Sequence, residues 1–247
     1  MIPKVIYNIW LGRQPIPENR RKYIDTWKKI NPDYKVVTIT EDDFDINKYM
    51  YIKSALKYKK WAFASDMLRL IVLYENGGFY LDTNDELLKP LAKLEHYKSV
   101  WALENSDAIN SGLIIGVQKG DKNLKNLIDI YQNMVYTPGH DMDYVTVPIV
   151  TNYFHNKGFK YKNRKQVLSD RTVILPSIYF APLHWWGGGY VSSKTMGVHH
   201  YQATWNDTFT VTLKDRIIHN CILRIPEIML PILKVKDYLK NGFKKKI

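Results

Sequence analysis

The chain has 247 residues, 45% of them hydrophobic and 13% aromatic, which suits one domain with a substantial core and excludes a disordered protein. Its single cysteine, Cys221, excludes an internal disulfide and a cysteine-based zinc site, and a reducing compartment is the simplest home. A net charge of +12 would suit nucleic acid or an anionic surface, but the basic residues do not interleave with a recognisable DNA or RNA motif, so no nucleic-acid partner is expected.

Residues 4–10 read as a first strand and lack the charged start and long apolar core of a signal peptide. A helix over 18–30 and a strand over 34–39 follow. From 61 to 74 the apolar residues Phe63, Met67, Leu70, Ile71 and Tyr74 recur at helical spacing, and Gly77-Gly78 supply the left-handed stop. Phe79-Tyr80-Leu81 is short and apolar, as a buried strand should be. Strands at 99–103 and 113–117 and helices at 122–134 and 144–155 continue the alternation. This pattern predicts an α/β fold with a single, mostly parallel central sheet flanked by helices.

The chain thus delivers Asp82, Asn84, Asp85 and Glu86 to the carboxyl end of a strand, where open α/β sheets bind ligands. Crowded oxygen-bearing side chains need a positive neutraliser, and Mg²⁺ or Mn²⁺ prefers oxygen ligands shared with substrate phosphates. A nucleotide is implied. Asp66 and Arg69, three apart on the preceding helix, could accept from a ribose or base and donate to phosphate; the plainer reading is a helix-surface ion pair.

Three segments, IPKVIYNIWLG, KKWAFASDMLRLIVLYENGGFYLDTNDELLKPL and VHHYQATW, resemble in order the glycosyltransferases of family 32, which carry a DxD motif and include polysaccharide-building sugar transferases. The catalytic domains of large clostridial glucosylating toxins are similar in the same places. The resemblance implies a GT-A fold over residues 1–210, a nucleotide-sugar donor, Mn²⁺ or Mg²⁺, and retention at the anomeric carbon. By position it implies that Asp82 and Asn84 form the DxD pair, both at the metal and the reaction. Ile9, Trp10, Ala62, Ser65, Asp66, Arg69, Tyr80, Leu81, Thr83, Asn110 and Ser111 would line the donor, and Trp205 would lie near the leaving phosphate. Of the adjacent His199 and His200, only one can face the site if the segment is extended, and His200 is taken as the metal-side residue. The chain departs from the motif at Asn84, where relatives have a second aspartate. Three outcomes follow: weaker metal binding, use of Asp85 instead, or a disabled site. A metal-dependent phosphohydrolase and a catalytically silent sugar-binding relative are the alternatives.

Elsewhere, residues 177–190 set aromatics beside three glycines, read either as a mobile sugar-binding loop or as a buried cluster next to a turn. Asp141, Asp143, Tyr144 and Thr146 are acceptor-side candidates, the acceptor being a saccharide or a lipid-linked saccharide. The segment 211–247 is expected to be a helical basic extension. Its apolar stretch 217–233 is interrupted by Pro226 and Pro231, so it reads as an interfacial helix on an anionic membrane surface, at the inner face of the cell membrane, or as a helix packed on the core.

Overall fold

The computed structural model describes residues 1–201 and 210–242. Its strands are β1 (Val5–Ile9), β2 (Lys35–Ile39), β3 (Gly78–Tyr80), β4 (Asp85–Leu87), β5 (Ser99–Asn105), β6 (Ala108–Ile109), β7 (Ile115–Val117), β8 (Gln166–Val167), β9 (Thr172–Leu175) and β10 (Gly197–His199). The α-helices are α1 (Glu18–Ile30), α2 (Met50–Lys57), α3 (Trp61–Asn76), α4 (Lys122–Gln132), α5 (Thr146–Asn156), α6 (Leu213–Arg224) and α7 (Pro226–Gly242).

The main sheet runs β2-β1-β3-β7-β5-β9-β8, with β6 paired to β5, and β10 and β4 form a separate antiparallel ribbon. Strands β1, β2, β3, β5 and β9 share one direction, while β7 and β8 are reversed. The expected mostly parallel α/β architecture is therefore present. Because β1 pairs with β2 on one side and β3 on the other, the chain reverses its direction of travel across the sheet there. Such a crevice beyond the carboxyl ends of parallel strands is where α/β sheets accept ligands.

Two apolar layers cover the sheet. One packs α2, α3, α4 and α5 around Phe63, Met67, Leu70, Trp101 and Phe154, and the other packs α1 and the segment after β9 around Trp27, Phe79, Leu113 and Phe180. Helix α3 is buried almost all round because it lies between sheet, α2 and α4. It ends where Gly77, at φ +70, donates its N–H to the Leu73 carbonyl at 2.7 Å. An added Cβ at Gly77 would come within 2.7 Å of the Lys119 backbone, so packing as well as conformation requires glycine.

The apolar stretch 217–233 is two helices rather than one, since α6 stops at Arg224 and Pro226 opens α7. Helix α6 packs on the core: Ile222 is buried, His219 lies against Trp185 and Trp186, and the Leu223 carbonyl accepts from Ser106 Oγ at 2.9 Å. Helix α7 leaves Ile228, Ile232 and Val235 exposed. Among the described residues, no helix is long and apolar enough to cross a membrane.

Candidate functional site

The site forms where the carboxyl ends of β1, β3 and β5 meet the turn that enters β7. Asp82 leaves β3, and its backbone N–H donates to the Gly112 carbonyl at 3.2 Å. Its carboxylate is held from two directions: Tyr80 O–H donates to Oδ1 at 2.6 Å, and Arg69 Nη1 lies 3.4 Å from the same oxygen. Oδ2 rests on Gly112, where a Cβ would meet it at 2.5 Å. The Asp82 side chain nevertheless keeps 28% of its surface open. It is thus both fixed and accessible.

Arg69 is the organiser behind it. Its guanidinium pairs with Asp66 at 2.9 Å, donates to Ser65 Oγ at 3.1 Å and Ser111 Oγ at 3.4 Å, and lies over the Tyr80 ring at 4.6 Å. With only 5% of its side chain exposed, Arg69 forms a buried pair with Asp66, which corrects the reading of a helix-surface ion pair. Burial raises the Asp66 carboxyl to about 7 against the pull of Arg69. Burial opposes the charge on Arg69 too, but Asp82, Tyr80 and Asp66 more than restore it. The phenol of Tyr80, raised by burial, stays a donor.

The departure at position 84 has a structural counterpart. Asn84 Nδ2 lies 3.0 Å from His199 Nε2 and donates to the His200 carbonyl at 3.0 Å. Both amide hydrogens are thereby engaged, and the amide oxygen is turned away from that pair. His199 Nδ1 meets Asp85 Oδ1 at 2.7 Å, and Asp85 Oδ2 accepts the Asp82 N–H at 2.8 Å. An amide N–H aimed at Nε2 makes His199 the Nδ1–H tautomer. Burial disfavours a second proton on His199, but Asp85 raises its pKa overall, and that proton would have to displace the Asn84 N–H. Burial raises Asp85 itself to about 7, with His199 opposing.

Asp85 therefore anchors the turn, with each of its oxygens holding a hydrogen bond. Of the two histidines, His199 turns its ring toward Asn84 and Asp85, as the register dictates. Strand β10 pairs antiparallel with β4, placing His199 opposite Asp85. His200 turns to the other side, stacks on Tyr23 with ring centres 4.4 Å apart and meets Glu86 at 3.0 Å.

The remaining residues divide into rim and support. Trp10 follows β1 and donates its indole N–H to the Gln14 carbonyl at 2.6 Å, and Ile9 is buried beneath it. Gly12 sits 3.2 Å, at its Cβ position, from the indole of Trp61, with Ala62 exposed one residue on and Ser65 half-buried on the same helix. Leu81 and Thr83 are buried in the strand exit. Asn110 accepts from the Gly112 N–H at 2.7 Å and donates to Glu104 at 2.6 Å. Ser111 is wholly buried behind Arg69, where its hydroxyl meets that of Thr146 at 3.1 Å. Asp141 pairs with Lys60 at 2.6 Å, Tyr144 donates to the Val135 carbonyl at 2.8 Å, and Asp143 meets His140 at 3.3 Å. These three therefore gather between α4 and α5, apart from Asp82's own contacts. Trp205 lies outside the described residues.

The segment 177–190 holds a buried cluster beside an exposed turn: Phe180 and Trp186 are buried and Trp186 stacks on His184 at 4.5 Å, whereas residues 187–190 are exposed. Two residues that sequence reasoning passed over belong to the site. Glu104, at the end of β5, accepts from Asn110 and from Trp185 Nε1 at 3.2 Å, and burial raises its carboxyl despite Asn110. Arg20 on α1 is 9% exposed, and burial lowers the pKa of its guanidinium, with Asp82, Tyr23 and Asp85 opposing. Glu104 had a signal, an acid directly after an apolar strand. Arg20 had none, because nothing local ties α1 to β4.

The donor set suits a hard cation of the kind completed by water and phosphate. It comprises one accessible carboxylate on Asp82 and the amide oxygen of Asn84, and among the described residues no group of three or more His, Cys, Asp and Glu could hold a metal alone. Such a partial set fits Mg²⁺ or Mn²⁺ shared with a substrate's phosphates.

Residues 17–101 match the family described as glycosyltransferase sugar-binding region containing DXD motif. The chain is 28% identical over 131 residues to the initiation-specific alpha-1,6-mannosyltransferase of Candida albicans, covering 47% of this chain and 32% of that protein. It is 29% identical over 128 residues to inositol phosphoceramide mannosyltransferase 3 of Schizosaccharomyces pombe, covering 48% of this chain and 34% of that one. The matches thus span about a third of these relatives' length. Among solved structures, the PaToxG glycosyltransferase superposes with a TM-score of 0.50 at 21% identity, covering 64% of this chain and 69% of that one. The fold is that of the GT-A glycosyltransferases, and residues 17–101 are similar to the DXD-containing sugar-binding region.

Proposed function

We propose that this chain, with its DXD-type sugar-binding region, is a retaining glycosyltransferase that moves a hexose or N-acetylhexosamine from a nucleotide-sugar, most simply a UDP-sugar, to a saccharide or lipid-linked saccharide. The observation that carries the reading is Asp82, held open at the β3 exit by Tyr80 and Arg69 inside the matched region. Mg²⁺ or Mn²⁺ bound by Asp82 and the Asn84 amide oxygen, together with the donor's phosphates, would supply Lewis acidity at the departing diphosphate.

The protein's own contribution is positioning. Tyr80 and Arg69 fix the Asp82 carboxylate, and Asp85 with His199 fixes the turn that carries Asn84. The indoles of Trp10 and Trp61 offer flat faces at the β1 exit for a base, while Asn110, oriented by Glu104, stands on the sugar side. No side chain is assigned as a base. The leaving diphosphate itself assists the acceptor hydroxyl on the same face of the sugar, with the Trp205 N–H donating as charge develops.

Exposed Ile228, Ile232 and Val235 beside Lys234 and Lys236 on α7 support an acceptor presented at an anionic membrane surface. Incubation with UDP- and GDP-sugars and saccharide acceptors, read by chromatography and NMR, tests the reading. A glycoside with retained anomeric configuration is expected. Inversion removes the mechanism, and cleavage of the donor to a nucleoside monophosphate and a sugar 1-phosphate alone makes the chain a phosphohydrolase.

A further inference from the structure

Arg20 is a cation whose hydrogen-bonding capacity the described residues do not use up. It lies on the face of α1 that continues through Tyr23 and Trp27, three and seven residues on. That face is pressed against the motif: Trp27 Nε1 donates to the Asp85 carbonyl at 2.7 Å, Tyr23 stacks on His200, and Thr26 accepts from the Leu87 N–H at 3.0 Å. Arg20 sits one turn before these contacts, more than nine-tenths buried, and among the described residues its Nη1 has no hydrogen-bond partner. A buried donor left unmade is a cost that native proteins seldom carry without use.

The neighbouring motif has lost a charge in the same place. Asn84 brings an amide where the DXD pattern has a second carboxylate, and Asp85 is spent on His199 and the Asp82 N–H. With one fewer anionic ligand, a divalent cation is held less tightly, while a planar guanidinium suits phosphate oxygens through paired N–H donors. We infer that Arg20 is the protein's own counter-charge for the donor diphosphate, so that a nucleoside diphosphate binds beside Asp82 and Asn84 with only partial dependence on a divalent ion. This rests on the donor-site reading above.

Calorimetric titration of UDP and GDP into the wild type, Arg20→Gln, Arg20→Met and Arg20→Lys, each in Mn²⁺ and in EDTA, tests it. The wild type should weaken by no more than about tenfold on moving to EDTA, whereas Arg20→Gln and Arg20→Met should weaken at least about tenfold in EDTA and Arg20→Lys should recover part. Thermal melting of Arg20→Met should be unchanged or higher, because the orphaned donor is removed. Wild-type binding in Mn²⁺ but not in EDTA overturns this inference and leaves the donor site standing. Equal EDTA affinities for wild type and Arg20→Gln, or an Arg20→Met protein that melts well below wild type, also overturn it. Failure of both nucleotides to bind the wild type in either condition overturns the donor-site reading with it.

Discussion

At the residue scale the site depends on how Asp82 is held, and two substitutions separate holding from binding. Arg69→Ala would leave Asp66 as an unpaired buried carboxylate and free Asp82 from one of its two anchors. Breaking a buried pair from one side costs about 3–5 kcal/mol, so denaturant melts should show a loss of that order. A near-neutral Arg69→Ala would contradict the central place given to it. Gly112→Ala is subtler, since its Cβ would arrive 2.5 Å from Asp82 Oδ2 while the backbone needs no unusual angle. The fold should survive with a lower melting temperature, and nucleotide affinity should drop by about tenfold or more. Unaltered affinity would mean that the carboxylate is free to move. Asn84→Asp should tighten Mn²⁺ binding by restoring a second carboxylate, and NMR should show His199 taking up a second proton once the amide N–H no longer faces Nε2. The DxD-like run was legible because chemistry of that kind is local in sequence. Which of the His199 and His200 rings meets Asp85 was not, because it turns on the β10–β4 register, set by a pairing more than a hundred residues apart.

At the element scale, the long periodic segments were the readable ones. Helix α1 runs over the expected residues, and α3 continues only to Asn76, just before its glycine stop. Short strands such as β4 and β10 were missed, since three residues give no usable period and their pairing is supplied by the partner. Strand β9 was missed as well, although Thr172–Leu175 is fully buried and lies beside β5. The turn before β9 carries a test of how these elements are joined. Asp170 pairs with Lys157 at 2.8 Å and accepts from Thr172 N–H at 3.0 Å and Asn123 at 3.1 Å. Burial works against its charge, yet the Lys157, Thr172 and Asn123 contacts hold the carboxyl well below its usual range. A depressed folded-state pKa means that the contribution is present above the unfolded carboxylate range and is lost as pH falls through the folded value. Asp170→Asn should therefore cost about 1–3 kcal/mol at neutral pH, with the difference shrinking toward zero in strong acid. A difference independent of pH would show that the Lys157 contact contributes nothing electrostatic.

For the whole molecule, the α/β class follows from alternation visible in the sequence, and the candidate site sits at the β1–β3 reversal, at the ends of parallel strands. The inward face of α1 was not visible, because helix-to-ribbon packing brings Arg20 and Trp27 to residues some sixty positions away. The net charge of +12 does not extend into the crevice, where Asp66, Asp82 and Asp85 face Arg69 and Arg20. A nucleotide's phosphates therefore enter a site whose local balance, unlike that of the chain, is set by a handful of buried groups. The measurement closest to that claim is calorimetric titration of UDP-sugars and GDP-sugars, in Mn²⁺, into the wild type and Asp82→Ala. Saturable binding by the wild type, weakened at least about tenfold in an Asp82→Ala protein that melts normally, is the predicted result. Equal affinity in the two proteins, or no binding by the wild type, would contradict a nucleotide-sugar site at the β3 exit.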